Sequence, residues 1–150
     1  MAMTFPHRYD VNLSWPGQGG AALDATGRRP IEGGAPPEFG GRDSWWSPEH
    51  LLLSSLSLCL MTTFEALARK ARLPVIGYEC RAEATLDRVE SGLAFTALGL
   101  HVRVEVAPAD AERTPPLLDR AKKHCLVANT LAVPVALDVA VVTPAAVGVR

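Results

Sequence analysis

Apolar and polar residues alternate at the start of the chain, with Tyr9, Val11, Leu13 and Trp15 set against Arg8, Asp10, Asn12 and Ser14. A period of two is that of a half-buried strand. Pro16-Gly17-Gln18-Gly19-Gly20 turns it, and Ala21 to Thr26 returns as a hairpin partner. Gly27 to Gly41 is rich in Gly and Pro and reads as a long loop, of a length found in functional segments or in segments wrapped on a partner. The pattern then changes to an almost unbroken apolar run. Ser47 and Pro48 supply an N-cap and an N1 proline. Trp46 can staple Leu51, and the helix is expected to reach about Arg72, before Pro74. Its first half has no polar face beyond small Ser and Thr side chains. A helix apolar all round must be covered all round, which a few strands of one chain cannot do, so burial against a second copy is the simple solution. The apolar stretch is interrupted by Ser54, Ser55, Ser57, Thr62 and Thr63 and stops at Glu65, too short and too polar for a membrane span.

Period two returns in Tyr78, Cys80, Ala82, Ala84 and Leu86, and again in Leu98, Leu100, Val102, Val104 and Val106, with Glu90-Ser91-Gly92 as the turn between them. This predicts a second antiparallel hairpin. Thr114-Pro115 repeats the cap-then-proline start, so a second helix is expected from Pro115 to about Leu126. Val135, Leu137, Val139 and Val141 mark a last strand, and the tail from Thr143 is expected to fray. The order ββ-α-ββ-α-β with antiparallel hairpins predicts an α+β fold. A length of 150 residues fits one domain, residues 1–150 with a core from about 8 to 142.

A formal net charge of -1 and the lack of a basic stripe argue against a nucleic-acid partner. No N-terminal run has the order of a signal peptide, and a soluble cytoplasmic protein without a membrane partner is expected. Three cysteines, Cys59, Cys80 and Cys125, cannot all pair within one chain. In a reducing compartment they are core thiols, ligands or redox groups. Cys80 points inward on a clean strand and is read as structural. Cys59 and Cys125 each lie in a helix, which is what a two-cysteine thiol peroxidase needs and also what two small core residues would give. The only ligand pair at motif spacing is the adjacent His124-Cys125, so no metal site is expected.

The segment Ser47-Pro48-Glu49-His50-Leu51-Leu52, with Cys59 completing a Pro-Glu-x-Leu-(x)7-Cys pattern, and the later helix carrying Cys125 resemble the OsmC/Ohr family (osmotically inducible protein C and organic hydroperoxide resistance protein). The hairpin from Glu79 to Val106 and the closing strand match in order, and the resemblance covers roughly residues 8 to 142. It implies an intertwined homodimer, antiparallel strands wrapped around central helices, with an active site at the dimer interface. It implies reduction of organic hydroperoxides, Cys59 as the peroxidatic cysteine, Cys125 as the resolving cysteine, and Glu49 as the residue that orients a catalytic arginine. Along one helix Glu49 and Cys59 are about 15 Å apart, so Glu49 would serve the Cys59 of the other subunit.

The thiolate is the nucleophile, and a free Cys has a pKa near ~8.5. Cys59 is roughly three turns inside its helix, beyond the direct influence of the helix N-terminus, and burial raises a thiol pKa. A cation is therefore expected beside it. In the family this is an arginine from the N-terminal half, for which Arg28, Arg29 and Arg42 are the candidates and Arg42 is nearest to Glu49. The cycle would pass through a Cys59 sulfenic acid and a Cys59–Cys125 disulfide, reopened by a dithiol reductant such as a lipoyl protein or a thioredoxin-like protein. It requires no metal, flavin or haem. Two positions depart from the family pattern: Cys125-Leu126 where many members have Cys-Pro, and Trp45-Trp46 in place of small polar residues. The competing readings are a dimer that holds a small apolar ligand with idle thiols, and a redox sensor without turnover.

Overall fold

The computed structural model describes residues 2–145. The chain falls into two compact units, one ending at Leu51 and the other beginning at Leu52.

In the first unit, β1 (Asn12–Ser14), β2 (Ala21–Asp24) and β3 (Ile31–Gly33) form an antiparallel sheet in chain order. The expected first hairpin is present, with Leu13 opposite Leu23. The first strand is shorter than the alternation suggested, and Tyr9, Val11, Leu13 and Trp15 are 61–89% exposed within the chain instead of half-buried. A three-stranded sheet of such short strands has no second layer of its own to cover them. The region read as one long loop contains β3, which pairs with β2 through Leu23 and Ile31. Beyond it the backbone returns to the sheet: Trp46 N–H donates to Glu32 O at 3.1 Å and Gly34 N–H to Trp46 O at 3.1 Å. Gly34 is required here, because a Cβ would run into the Trp45 indole.

Helix α1 (Pro48–Lys70) starts where the cap predicts. Ser47 is fully buried, and its Oγ accepts the His50 N–H at 3.2 Å. The helix ends one residue-pair short of the expected Arg72. Leu73 N–H closes onto Ala68 O at 2.9 Å, with Arg72 in the left-handed region at φ 51°. Contrary to the expectation from sequence, α1 is long and apolar enough to cross a bilayer by length and composition. Leu56, Leu60, Phe64 and Ala68, spaced by four, are each at most 2% exposed and lie in the hydrophobic cluster of the second unit. That row is the signature of a core helix.

The second unit is a three-stranded sheet in which β4 (Val75–Val89) and β5 (Gly92–Val106) form the long predicted hairpin. β6 (Val135–Val142) lies parallel to β5, with Val102 opposite Val139. A parallel neighbour needs a crossover, supplied by α2 (Thr114–His124) and α3 (Leu126–Thr130). Leu98, Leu100, Val102, Val104 and Val106 alternate into the core at 0–4% exposure. A register shift at Thr85/Leu86 interrupts the pleat of β4, and Leu86, expected inward, is 38% exposed.

Two long-range devices fix this unit. Arg113 donates to Ala71 O at 2.9 Å and to Arg72 O at 3.0 Å, and its Nε binds Asp110 Oδ1 at 2.7 Å. It binds the carbonyls of the two residues that follow α1, at the end of the helix where a cation is favoured. Across the sheet, His101 on β5 reaches Glu83 on β4 at 2.8 Å and Asp138 on β6 at 3.4 Å, while Arg81 holds the other Glu83 oxygen at 2.8 Å.

Arg113→Met keeps the aliphatic stem and removes the cap; it should lower unfolding free energy by about 1–3 kcal/mol, read by urea titration. A value within error of the unaltered protein would show that the cap carries no stability. The His101 clamp gives a pH dependence. Hydrogen bonds that His101 donates to Glu83, then to Asp138, hold it above its ordinary value of 6.5. The His101 bond, assisted by Arg81, holds Glu83 below its ordinary 4.5. A raised histidine contributes below its unfolded pKa and loses that contribution as pH rises through its folded pKa. A lowered carboxylate contributes above its unfolded pKa and loses it as pH falls through its folded pKa. The clamp is therefore fully present between about pH 4.5 and 6.5. The unfolding midpoint of His101→Gln, scanned from pH 4 to 9, should lose the part of the decline above pH 6.5; superimposable profiles would show that the clamp is energetically silent.

Candidate active site

The structure brings Cys59 and Cys125 together in the second unit. Cys59 lies in mid-α1, where the hydroxyls of Thr62 and Thr63 donate to its carbonyl at 3.1 and 2.8 Å. Cys125 is completely buried. It does not lie within a continuous second helix, as the sequence suggested. α2 stops at His124, Cys125 is extended at φ -69° and ψ 110°, and α3 starts at Leu126. One extended residue is enough to break the i to i−4 ladder, so the first N–H groups of α3 have no helical carbonyl to bind.

Those amides face the two sulfurs. Burial opposes ionisation of Cys59, yet the Val127 N–H, the Cys125 thiol, the Leu126 N–H and the Thr63 hydroxyl outweigh it and hold the Cys59 thiol below its usual value. Cys125 goes the other way. Its burial, and the Cys59 sulfur beside it, push its thiol up against the opposing N–H groups of Ala128 and Val127. Hence Cys59 is the more acidic sulfur and Cys125 keeps its proton. Within this unit the lowering comes from backbone N–H groups, a neighbouring thiol and a hydroxyl. No side-chain pattern announces backbone amides, which is why they were missed.

Of the other expected site residues, Arg42 and Glu49 belong to the first unit. The Arg42 guanidinium lies over the Trp45 ring at 5.2 Å. Arg28 donates to Thr26 O at 2.7 Å. Glu49 stands at the second position of α1, and its Oε2 is buried without a hydrogen-bond partner among the described residues. His50 Nδ1 lies 2.7 Å from Ser47 Oγ, so the two side chains close the helix start together. Cys80 faces the core from β4, and burial pushes its thiol up, in keeping with a structural role. Among the described residues no group of three His, Cys, Asp or Glu side chains could hold a metal ion.

The departure at residue 126 can be tested directly. Proline lacks the N–H that Leu126 directs at Cys59. Cys125 is extended and residue 126 is the first of α3, both favourable for proline. Leu126→Pro should therefore fold, and the pH midpoint for iodoacetamide alkylation of Cys59, followed by peptide mass, should move upward. An unmoved midpoint would show that this amide does nothing for the thiolate.

Residues 41–140 match the family described as OsmC-like protein. Over 92 residues the chain is 26% identical to the peroxiredoxin OsmC of Escherichia coli K12, covering 61% of this chain and 64% of that protein. The peroxiredoxin OsmC of Shigella flexneri matches to the same extent. The chain thus spans just under two thirds of the length of these relatives. An OsmC-like protein of unknown function from Vibrio cholerae shares the fold with a TM-score of 0.82 at 18% identity, over 90% of this chain and 100% of that one. An organic hydroperoxide resistance protein from Elizabethkingia anophelis does so with a TM-score of 0.72 at 17% identity, over 93% and 100%. The α+β architecture is that of these structures, and with the family match spanning most of the second unit and the start of α1, the chain belongs to the OsmC-like family.

Proposed function

We propose that the protein is a thiol peroxidase that reduces organic hydroperoxides at the expense of a dithiol. The observation that carries this reading is a partly exposed Cys59 set beside a fully buried Cys125, at the break where the first N–H groups of α3 have no helical carbonyl, with the first thiol held down and the second pushed up. A peroxidatic sulfur must be a thiolate at working pH, and a resolving sulfur must keep its proton until it is needed. The names of the relatives, peroxiredoxin and organic hydroperoxide resistance protein, support the same class.

In the proposed cycle the Cys59 thiolate attacks one peroxide oxygen. The O–O bond breaks, the alkoxide takes a proton and leaves as alcohol, and Cys59 is oxidised to sulfenic acid. The Cys125 sulfur then attacks the Cys59 sulfur, the S–O bond breaks, and water leaves with the Cys125 proton. Two thiols of a lipoyl or thioredoxin-like protein reduce the disulfide by exchange and become a disulfide themselves. Glu49 and an arginine, Arg42 before Arg28 and Arg29, are proposed to bind and polarise the peroxide. Support for Glu49 is its buried carboxylate oxygen, which lacks a partner among the described residues and is suited to a guanidinium. A homodimer is part of the proposal, because α1 leaves most of its apolar surface uncovered within one chain, Leu58 being 58% exposed. So is a cytoplasmic setting, where thiols are kept reduced.

Turnover of cumene hydroperoxide with dithiothreitol tests the reading. The unaltered protein should consume peroxide continuously, Cys59→Ser should lose at least about 1,000-fold, and Cys125→Ser should give a single oxidation that stops at a dimedone-reactive Cys59. Disulfide formation without steady consumption would favour the sensor, and peroxide-insensitive thiols would favour the apolar-ligand protein.

A further inference from the structure

The surface at the end of α2 has no role in the cycle above, yet its charge is one-sided. From Arg120 to Leu137 the chain has no acidic residue, while Arg120, Lys122 and Lys123 stand within four positions. Arg120 and Lys123 are exposed and Lys122 is half-buried. Asp119 precedes them, but none of the three forms a salt bridge among the described residues. Asn129 Nδ2 donates to Lys123 O at 3.0 Å and folds α3 back against α2. Beside this contact, a groove of about 420 Å³ is lined by Asp119, Lys122, Lys123, Asn129 and Val135. Cations in the last turn of a helix are ordinary partners of its carbonyl end. That accounts neither for Arg120, which precedes the last turn, nor for Leu126. Leu126 is 77% exposed, more than any other large apolar side chain among the described residues of the second unit. It directly follows Cys125, so the cations and the exposed leucine flank the sulfur-bearing residue on both sides along the chain.

We propose that this edge docks the electron donor, and that the donor is a dithiol protein with an acidic surface. The inference rests on the peroxidase reading and names the chemistry of its partner. An apolar anchor within a charged rim is the anatomy of a protein interface. The cations raise the encounter rate and orient the partner, and Leu126 supplies apolar area that leaves water on contact. The net charge of the whole chain is -1, so attraction for an acidic partner must be local to this edge. A second copy of the chain is a poor occupant, because a two-fold contact there would set the same cations against each other. The exchange itself balances. A partner thiolate forms a mixed disulfide with one sulfur, the Cys59–Cys125 bond breaks, and the other sulfur takes up a proton. The second partner thiol then closes the partner's own disulfide and frees the first sulfur.

The test oxidises the protein with one equivalent of cumene hydroperoxide and follows reopening of the Cys59–Cys125 disulfide by peptide mass. Two synthetic peptides share a Cys-Gly-Pro-Cys centre, flanked by glutamates in one and by glutamines in the other. Each rate is divided by that peptide's rate with hydroxyethyl disulfide, and dithiothreitol is the uncharged control. At low ionic strength the glutamate peptide should be faster by about ten-fold, and the gap should close at about 1 M salt. The triple variant Arg120→Gln, Lys122→Gln, Lys123→Gln should lose the preference, while its dithiothreitol rate and its sedimentation stay those of the unaltered protein. Equal rates for the two peptides, or a preference kept by the variant, would overturn the docking role and leave the peroxidase reading standing. A changed oligomeric state in the variant would assign the surface to a second copy and overturn it too. Failure of the unaltered protein to form the Cys59–Cys125 disulfide would overturn the peroxidase reading and, with it, this role.

Discussion

The single extended residue between α2 and α3 is the constraint on which the site depends. Were Cys125 helical, its sulfur would ride on a continuous helix and the next three amides would be spent on carbonyls of the preceding turn. With ψ at 110° the ladder is cut, and the amides of Leu126, Val127 and Ala128 are released toward two sulfurs. The break is local, but it is stabilised from a distance. Leu118 and Ala121 of α2 are fully buried in the same cluster as Leu60 and Phe64, so α2 cannot shift to heal the gap without uncovering the core.

The same core explains why α1 can present a thiol at all. Four residues at spacing four fasten it to the sheet, and Arg113 binds the carbonyls of the two residues that follow it. Cys59 lies off that row, partly exposed, so the sulfur is carried on a rigid element but is not sealed inside. The remaining apolar surface of α1 calls for cover that one chain does not supply.

The element order was legible from periodicity, and the reasons differ from place to place. Ser47-Pro48 announces its helix because the cap satisfies donors locally. The β4–β5 hairpin is legible because one face is buried and the pleat enforces a period of two. β3 was not, since three residues in a Gly/Pro-rich stretch carry too little alternation to read. The exposed face of β1 and the outward turn of Leu86 depend on layer count and on a bulge, neither of which is written in local pattern. The nearness of Cys59 and Cys125 was legible from their motif, although Cys125 stands between two helices and not within one. The contribution of backbone N–H groups to the Cys59 thiol was not, because no side-chain pattern marks them. The break at Cys125 follows from tertiary packing, and nothing in Ala121-Lys122-Lys123-His124-Cys125 forbids one more helical turn.

Unequal thiols solve a kinetic problem that a symmetrical pair would not. If both sulfurs were acidic, two adjacent thiolates would repel, and each would raise the pKa of the other. If both were raised, neither would attack a peroxide near neutral pH. Lowering one with amides and a neighbouring S–H, while burial keeps the other protonated, divides the work. In the proposed cycle, oxidation of Cys59 removes the charge beside Cys125, and with it one of the causes, after burial, that push the Cys125 thiol up.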